Sequence, residues 1–144
     1  MMIRKFTSDD YDDVVDLWRR SSGVTLRDVD AREPLLAYIA RNPGLSFVAT
    51  APDAGRIVGA VLCGTDGRRG YLQHLAVDAD YQRQGIGRGL AERCVAELAK
   101  QGIMKCHLMV IAGNDRAREF WTRIGWAARS DIQLMSHTVG DASA

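Results

Sequence analysis

The sequence is short of cysteine, of net charge and of long apolar runs. Cys63, Cys94 and Cys106 are its three cysteines, an odd and scattered set with no CxxC or CxxH spacing. That pattern argues against a disulfide framework or a metal site and reads as buried thiols in a reducing compartment. Nineteen Lys and Arg against eighteen Asp and Glu leave a formal charge of +1, so no global field points to nucleic acid as a partner. The longest strong apolar run is IVGAVLC at 57–63, far short of the ~20 residues a membrane span needs. The first residues, MMIRKFTSDD, turn polar at once without the apolar region of a signal peptide, so a cytoplasmic location is expected. Repeats, low-complexity tracts and linkers are absent.

What remains is a soluble globular composition, 47% hydrophobic and 26% charged. The length of 144 residues suits one domain, 1–144, with 138–144 as a frayed tail. IRKF (3–6) reads as an edge strand. Thr7 then caps a helix, with Asp10 in capping-box position and Tyr11, Val14, Val15 and Trp18 on one stripe. SSGVTLRDVD (21–30) interrupts, and 31–41 reads as a second helix with Pro34 in its first turn. Three strands follow at 45–50, 56–63 and 71–77, with short turns between them that imply an antiparallel meander. Ile86, Leu90, Cys94 and Leu98 mark an amphipathic helix ending near Gly102. A strand at 105–111, a helix capped by Asn114 and stopped by Gly125, and a last strand at 132–137 complete the chain. The order β-α-α-β-β-β-α-β-α-β describes an α+β fold. It has a mixed, mostly antiparallel sheet, helices on both faces and one βαβ crossover over 71–111.

Within that crossover, DADYQRQGIGRGLAERC (78–94) sets Gly85, Gly87 and Gly89 where a helix must begin, although each glycine costs a helix about 1 kcal/mol against alanine. A helix N-terminus carries unpaired amides and partial positive charge, which suits phosphate. Glycines let the backbone approach a ligand and turn successive amides inward. A tight turn alone needs one glycine; three at alternating positions favour phosphate. No Gly-Lys-Ser/Thr is present for a Walker loop. A Rossmann fingerprint fails too, because Leu90 stands where a small residue belongs.

The stretch Gln82-Arg83-Gln84-Gly85-Ile86-Gly87 resembles the Q/R-x-x-G-x-G/A signature of the GNAT superfamily of acyl-CoA-dependent N-acetyltransferases. LAVDADYQRQ upstream and NDRAREFWTRIGW (114–126) downstream are similar to two further family blocks, in register, and the resemblance covers most of 2–136. The small stand-alone bacterial members of YpeA type look nearest. The resemblance implies acetyl-CoA as cosubstrate and no metal. It implies that the amides from Arg83 through Arg88 cradle the CoA diphosphate, and that Gln82 belongs to the same signature. The main chain at Leu75, Ala76 and Val77 would accompany the pantetheine arm where a bulge splays the strand. The Val77 oxygen or the amide near Leu75 would polarise the thioester. Asn114 would touch the arm besides capping its helix, and Arg88 and Arg118 are candidates for the ribose 3′-phosphate.

Acetyl transfer to an amine needs a neutral, aligned nucleophile and a leaving thiolate that gains a proton. Family members often use a tyrosine as the acid, and that position is Trp121, whose indole N–H cannot protonate a thiolate. Trp121 is expected to pack on the pantetheine or acetyl group instead. The glutamate positions of the family fall on Tyr71 and Met109, neither a carboxylate. Tyr71 and His74 remain as catalytic candidates. Period-two alternation places Tyr71, Gln73 and Leu75 on one side and His74 on the other unless the bulge intervenes, so Tyr71→Phe is expected to harm turnover more than His74→Phe. The acceptor, a primary amine on a small molecule or a protein N-terminus, should lie against 20–32, where Arg27, Asp28 and Asp30 sit, and against the loop before the last strand. The expected protein is a monomer or homodimer that binds neither nucleic acid nor membrane. The alternative is a domain that binds acyl-CoA as a sensor and catalyses little.

Overall fold

The computed structural model describes residues 1–53 and 55–140. Five strands form one sheet in sequence order: β1 (Met2–Lys5), β2 (Phe47–Thr50), β3 (Ile57–Thr65), β4 (Gly70–Val77) and β5 (Cys106–Leu108). β1 to β4 pair antiparallel, and β4 pairs parallel with β5. Helices α1 (Tyr11–Arg19) and α2 (Arg32–Arg41) precede β2, α3 (Ile86–Lys100) makes the crossover from β4 to β5, and α4 (Asp115–Arg123) follows β5.

β3 explains why the longest apolar run lies at 57–63. Helices cover both of its faces, so every residue from Ile57 to Gly64 is buried and polar alternation disappears. On one face Leu90, Cys94 and Leu98 of α3 pack over Phe47, Val61, Cys63 and Leu72. On the other, Val14, Leu17 and Trp18 of α1 and Leu35 of α2 pack over Val48, Ala60, Leu62 and Ala76. α1 enters through the 3-10 turn Ser8–Asp10, whose Asp10 carboxylate accepts the Thr7 amide at 2.8 Å and the two terminal Arg4 guanidinium nitrogens at 2.8 Å. α4 starts as its sequence suggests, with Asn114 Oδ1 accepting the Ala117 amide at 3.1 Å.

Two expectations fail at the far edge of the sheet. The strand expected over 105–111 contracts to Cys106–Leu108, and 132–137 form no strand at all. β5 registers only with Gly70–Leu72, because β4 bends away immediately afterwards and leaves 109–111 without a ladder partner. So short a strand gives a following segment little edge to pair with. Ile132, Leu134 and Met135 are exposed accordingly, and the apolar alternation that suggested a strand has no face to bury. Of the tail expected over 138–144, residues 138–140 are exposed and 141–144 lie outside the described residues.

Candidate active site

The cleft originates in a bulge. Gln73 registers with Leu62 and Ala76 with Ala60, so His74 and Leu75 together oppose the single residue Val61. His74 takes the left-handed conformation, φ 54°, which costs a residue with a Cβ about 1–3 kcal/mol. Trp18 anchors it: the buried indole Nε1–H donates to the His74 carbonyl at 2.9 Å, and the two rings meet edge to face at 5.0 Å. Because one residue is inserted, the side chains of β4 change faces midway. Leu72 packs on the α3 side, His74 meets Trp18 on the α1 side, and Leu75 returns to the α3 side. Tyr71, Gln73 and Leu75 therefore do not share one side, contrary to the regular alternation.

Past the bulge β4 and β5 diverge, and two connected hollows fill the gap. A cleft of about 730 Å³ runs between the end of β4, the 81–88 loop and α4. A recess of about 120 Å³ continues from it towards His74, Gln73 and Met109. Gly23, Leu75, Asn114, Ala117 and Trp121 line both.

The loop opening into the cleft is built from backbone. Asp78 ends β4, where its amide donates to Val58 O at 2.8 Å. Its carboxylate accepts the Asp80 amide at 2.9 Å and Arg20 at 2.9 Å, which together hold it below the usual carboxylate range. Arg83 and Gly85 are both left-handed, φ 64° and 80°, and turn the chain into α3. Among the described residues no protein acceptor takes the amides of Gly85, Ile86, Gly87 or Arg88; the first helical bond runs from the Gly89 amide to Gly85 O at 2.9 Å. The three glycines do not share one reason. Gly85 supplies positive φ with open space around it, while a Cβ on Gly87 would lie 3.1 Å from the Phe120 ring. Gly89 serves packing alone, since a Cβ there would lie 3.0 Å from Ile3 of β1.

Of the residues singled out from the sequence, Leu75, Ala76, Val77, Gln82, Arg83, Gly85, Ile86, Gly87, Arg88, Asn114 and Trp121 line the large cleft; Gln84 and Arg118 do not. Helical geometry explains Arg118. At about 100° per residue it falls opposite Arg116, Phe120 and Arg123, which do face the cleft. Arg116 and Arg123 escaped the sequence reading although the same periodicity would have found them. Arg116 also donates to Gln82 Oε1 at 3.3 Å, while Gln82 Nε2 donates to Val77 O at 3.1 Å. The Val77 oxygen is thus already engaged, and as an acceptor it has nothing to offer a thioester carbonyl.

Tyr71 lies outside both hollows. Its hydroxyl meets Asp66 at 3.3 Å, and desolvation together with that carboxylate raises its pKa, making it a poorer acid. His74 lines the recess with a partner that sequence spacing does not reveal. Its Nε2 lies 3.0 Å from Asp30 Oδ1, and the Asp30 side chain is only 6% exposed. The other Asp30 oxygen accepts the Arg27 amide at 2.9 Å, so this carboxylate is turned inward and does not stand free for a cationic amine. Trp121, which lines both cleft and recess, meets Phe120 and Trp126 edge to face, both at 5.1 Å.

A sequence profile of the family described as Acetyltransferase (GNAT) family matches residues 11–126, which take in α1, the loop and α4. The chain belongs to the GNAT acetyltransferase family. It is similar to acetyltransferase SG1711 of Sodalis glossinidius, 30% identical over 135 residues, which cover 94% of this chain and 93% of that one. Acetyltransferase ECA0875 of Pectobacterium atrosepticum is 31% identical over 141 residues, 98% of each chain. Among solved structures, PaiA N-acetyltransferase from Thermoplasma acidophilum in complex with coenzyme A superposes with a TM-score of 0.79 at 22% identity, covering 98% of this chain and 94% of that one. As a GNAT protein the chain is an acyl-CoA-dependent acyltransferase. Among the described residues no cluster of three metal-ligating side chains forms, and no helix is long and apolar enough to cross a membrane.

Proposed function

We propose that the protein, acting as one N-acetyltransferase domain over 1–144, moves the acetyl group of acetyl-CoA onto a primary amine by direct attack within a ternary complex. The observation that carries this reading is the run of amides from Gly85 to Arg88 without acceptors among the described residues, opening into a cleft that leads to the bulge. A diphosphate fits there on physical grounds, because unpaired N–H groups at a helix N-terminus stabilise anionic oxygens. Arg83, Arg88, Arg116 and Arg123 add positive charge around the cleft against the single carboxylate of Glu119. Arg88 already pairs with Glu92 at 2.8 Å, but both side chains are exposed and the pair is weak enough to open. The freed main chain of Leu75, Ala76 and Val77 accompanies the pantetheine arm, with Asn114 and Trp121 opposite.

Bound acetyl-CoA supplies the thioester. The amine, which arrives as an ammonium, gives up one proton, and its nitrogen then forms a bond to the acetyl carbon as the carbon–sulfur bond breaks. The nitrogen loses a second proton, and the departing thiolate gains one through water, since Trp121 cannot supply it. His74 is the group we favour for the first proton, and Tyr71, outside the recess, is not. The acceptor is a small molecule or a protein N-terminus.

Thiol release from acetyl-CoA across a panel of primary amines, read with a free-thiol reagent, tests the reading. Amine-dependent release with stoichiometric acetylamide is expected. Tight CoA binding with no release for any amine would turn the protein into a binding module.

A further inference from the structure

We infer that Asp30 positions His74 for proton transfer, fixing its neutral ring as the Nε2–H tautomer and stabilising the imidazolium formed when His74 Nδ1 takes a proton from the acceptor ammonium. The inference rests on the acetyl-transfer reading above and gives a new role to a residue that the sequence set only beside the acceptor.

Three elements converge to make the pair. The bulge in β4 brings His74 onto the α1 side, where Trp18 holds both its carbonyl and the edge of its ring. The segment between α1 and α2 delivers Asp30, with its carbonyl oxygen accepting the Tyr11 hydroxyl at 2.7 Å and its carboxylate accepting the Arg27 amide. The remaining carboxylate oxygen faces His74 Nε2 at 3.0 Å. An ionised carboxylate only accepts, so the neutral imidazole beside it keeps its proton on Nε2 and its lone pair on Nδ1. Asp30 at 6% and His74 at 20% side-chain exposure are largely shielded from water, which strengthens the interaction between them. A glycine would take this left-handed bulge position at less conformational cost than histidine does. The proton ledger closes: the ammonium loses H⁺ to Nδ1, Asp30 keeps its negative charge beside the imidazolium, and His74 later returns the proton to solvent. Asp30 touches neither acceptor nor thioester.

Asp30→Asn tests this, because an asparagine whose oxygen keeps the Arg27 amide must turn its NH₂ towards Nε2 and reverse the tautomer. Two-bond ¹H–¹⁵N spectra of ¹⁵N-histidine-labelled protein, with His74 assigned by its loss in His74→Gln, read the ring directly and need no substrate. The expected result is Nε2–H in the native protein and Nδ1–H in Asp30→Asn. With the most reactive amine of the panel, kcat should fall about 100-fold, a typical general-base contribution, while KM for acetyl-CoA and Kd for CoA stay within twofold. An Nδ1–H ring in the native protein, or a folded Asp30→Asn enzyme with kcat within twofold, overturns the inference. Failure of CoA to bind the native protein would sink the acetyl-transfer reading instead, and the spectra would still report on the pair.

Discussion

The two ends of the cleft are made of different materials. The 82–88 end is backbone: unpaired amides and left-handed turns, with side chains at its rim. The His74 end is side chains drawn from α1, from the segment before α2 and from β4, up to 56 residues apart in sequence. A site of main-chain amides tolerates replacement of its side chains and fails when a Cβ or a charge enters it. A site of side chains fails when one atom changes. That contrast predicts opposite responses to mutation at the two ends.

A large loss of CoA affinity is expected at the backbone end. Gly85→Asp puts a carboxylate at a left-handed position facing the proposed diphosphate site and should weaken CoA binding about 100-fold, roughly 2.7 kcal/mol, by calorimetry on a folded protein. Gly89→Ala, one helical turn beyond Gly85 and with its amide already bonded to Gly85 O, should leave the affinity within twofold, because Gly89 answers only to Ile3. Equal losses at both positions would dissolve the distinction among the glycines.

At the side-chain end, His74→Gln should lower kcat about 100-fold with CoA affinity unchanged, while Tyr71→Phe stays within twofold. This ranking reverses the one that regular strand alternation gives. Steady-state kinetics that put Tyr71 first would show that the bulge does not redirect β4. A smaller effect sharpens the rim: Arg116→Ala should weaken CoA about fivefold, or about 1 kcal/mol, and less so at high salt, whereas Arg118→Ala should do nothing measurable.

A modest effect on stability concerns Asp78, which ties the start of the loop to Val58 of β3 and to Arg20 at the end of α1. Its folded carboxyl is held below the ordinary range, first by the Asp80 amide and then by Arg20. The stabilisation is therefore fully present above the unfolded value, about 3.9, and disappears as pH falls through the lower folded value. Thermal melts should show the native protein ahead of Asp78→Asn by about 1 kcal/mol at pH 7, with the gap closing below pH 4.

How much of this was legible in the sequence follows from the same contrast. Strands β1 to β4, all four α-helices, the parallel crossover and the Asn114 cap are local patterns, written in periodicity and capping residues. The glycine-rich loop was equally readable, because backbone exposure depends on residues adjacent in the chain. Arg116 was readable by helical periodicity but passed over. The Asp30–His74 pair was not readable, since 44 residues separate the partners and only a bulge turns the imidazole to meet the carboxylate. The strand expected over 132–137 misled for a related reason: alternation signals a capacity to pair, and the partner edge is decided elsewhere in the fold.

The role proposed for the free amides from Gly85 to Arg88 is to receive a diphosphate. A crystal of the protein soaked with CoA decides it. Diphosphate oxygens are expected within hydrogen-bond distance of at least two of those amides. Density for CoA elsewhere, or a loop whose own side chains cap the amides, would contradict it.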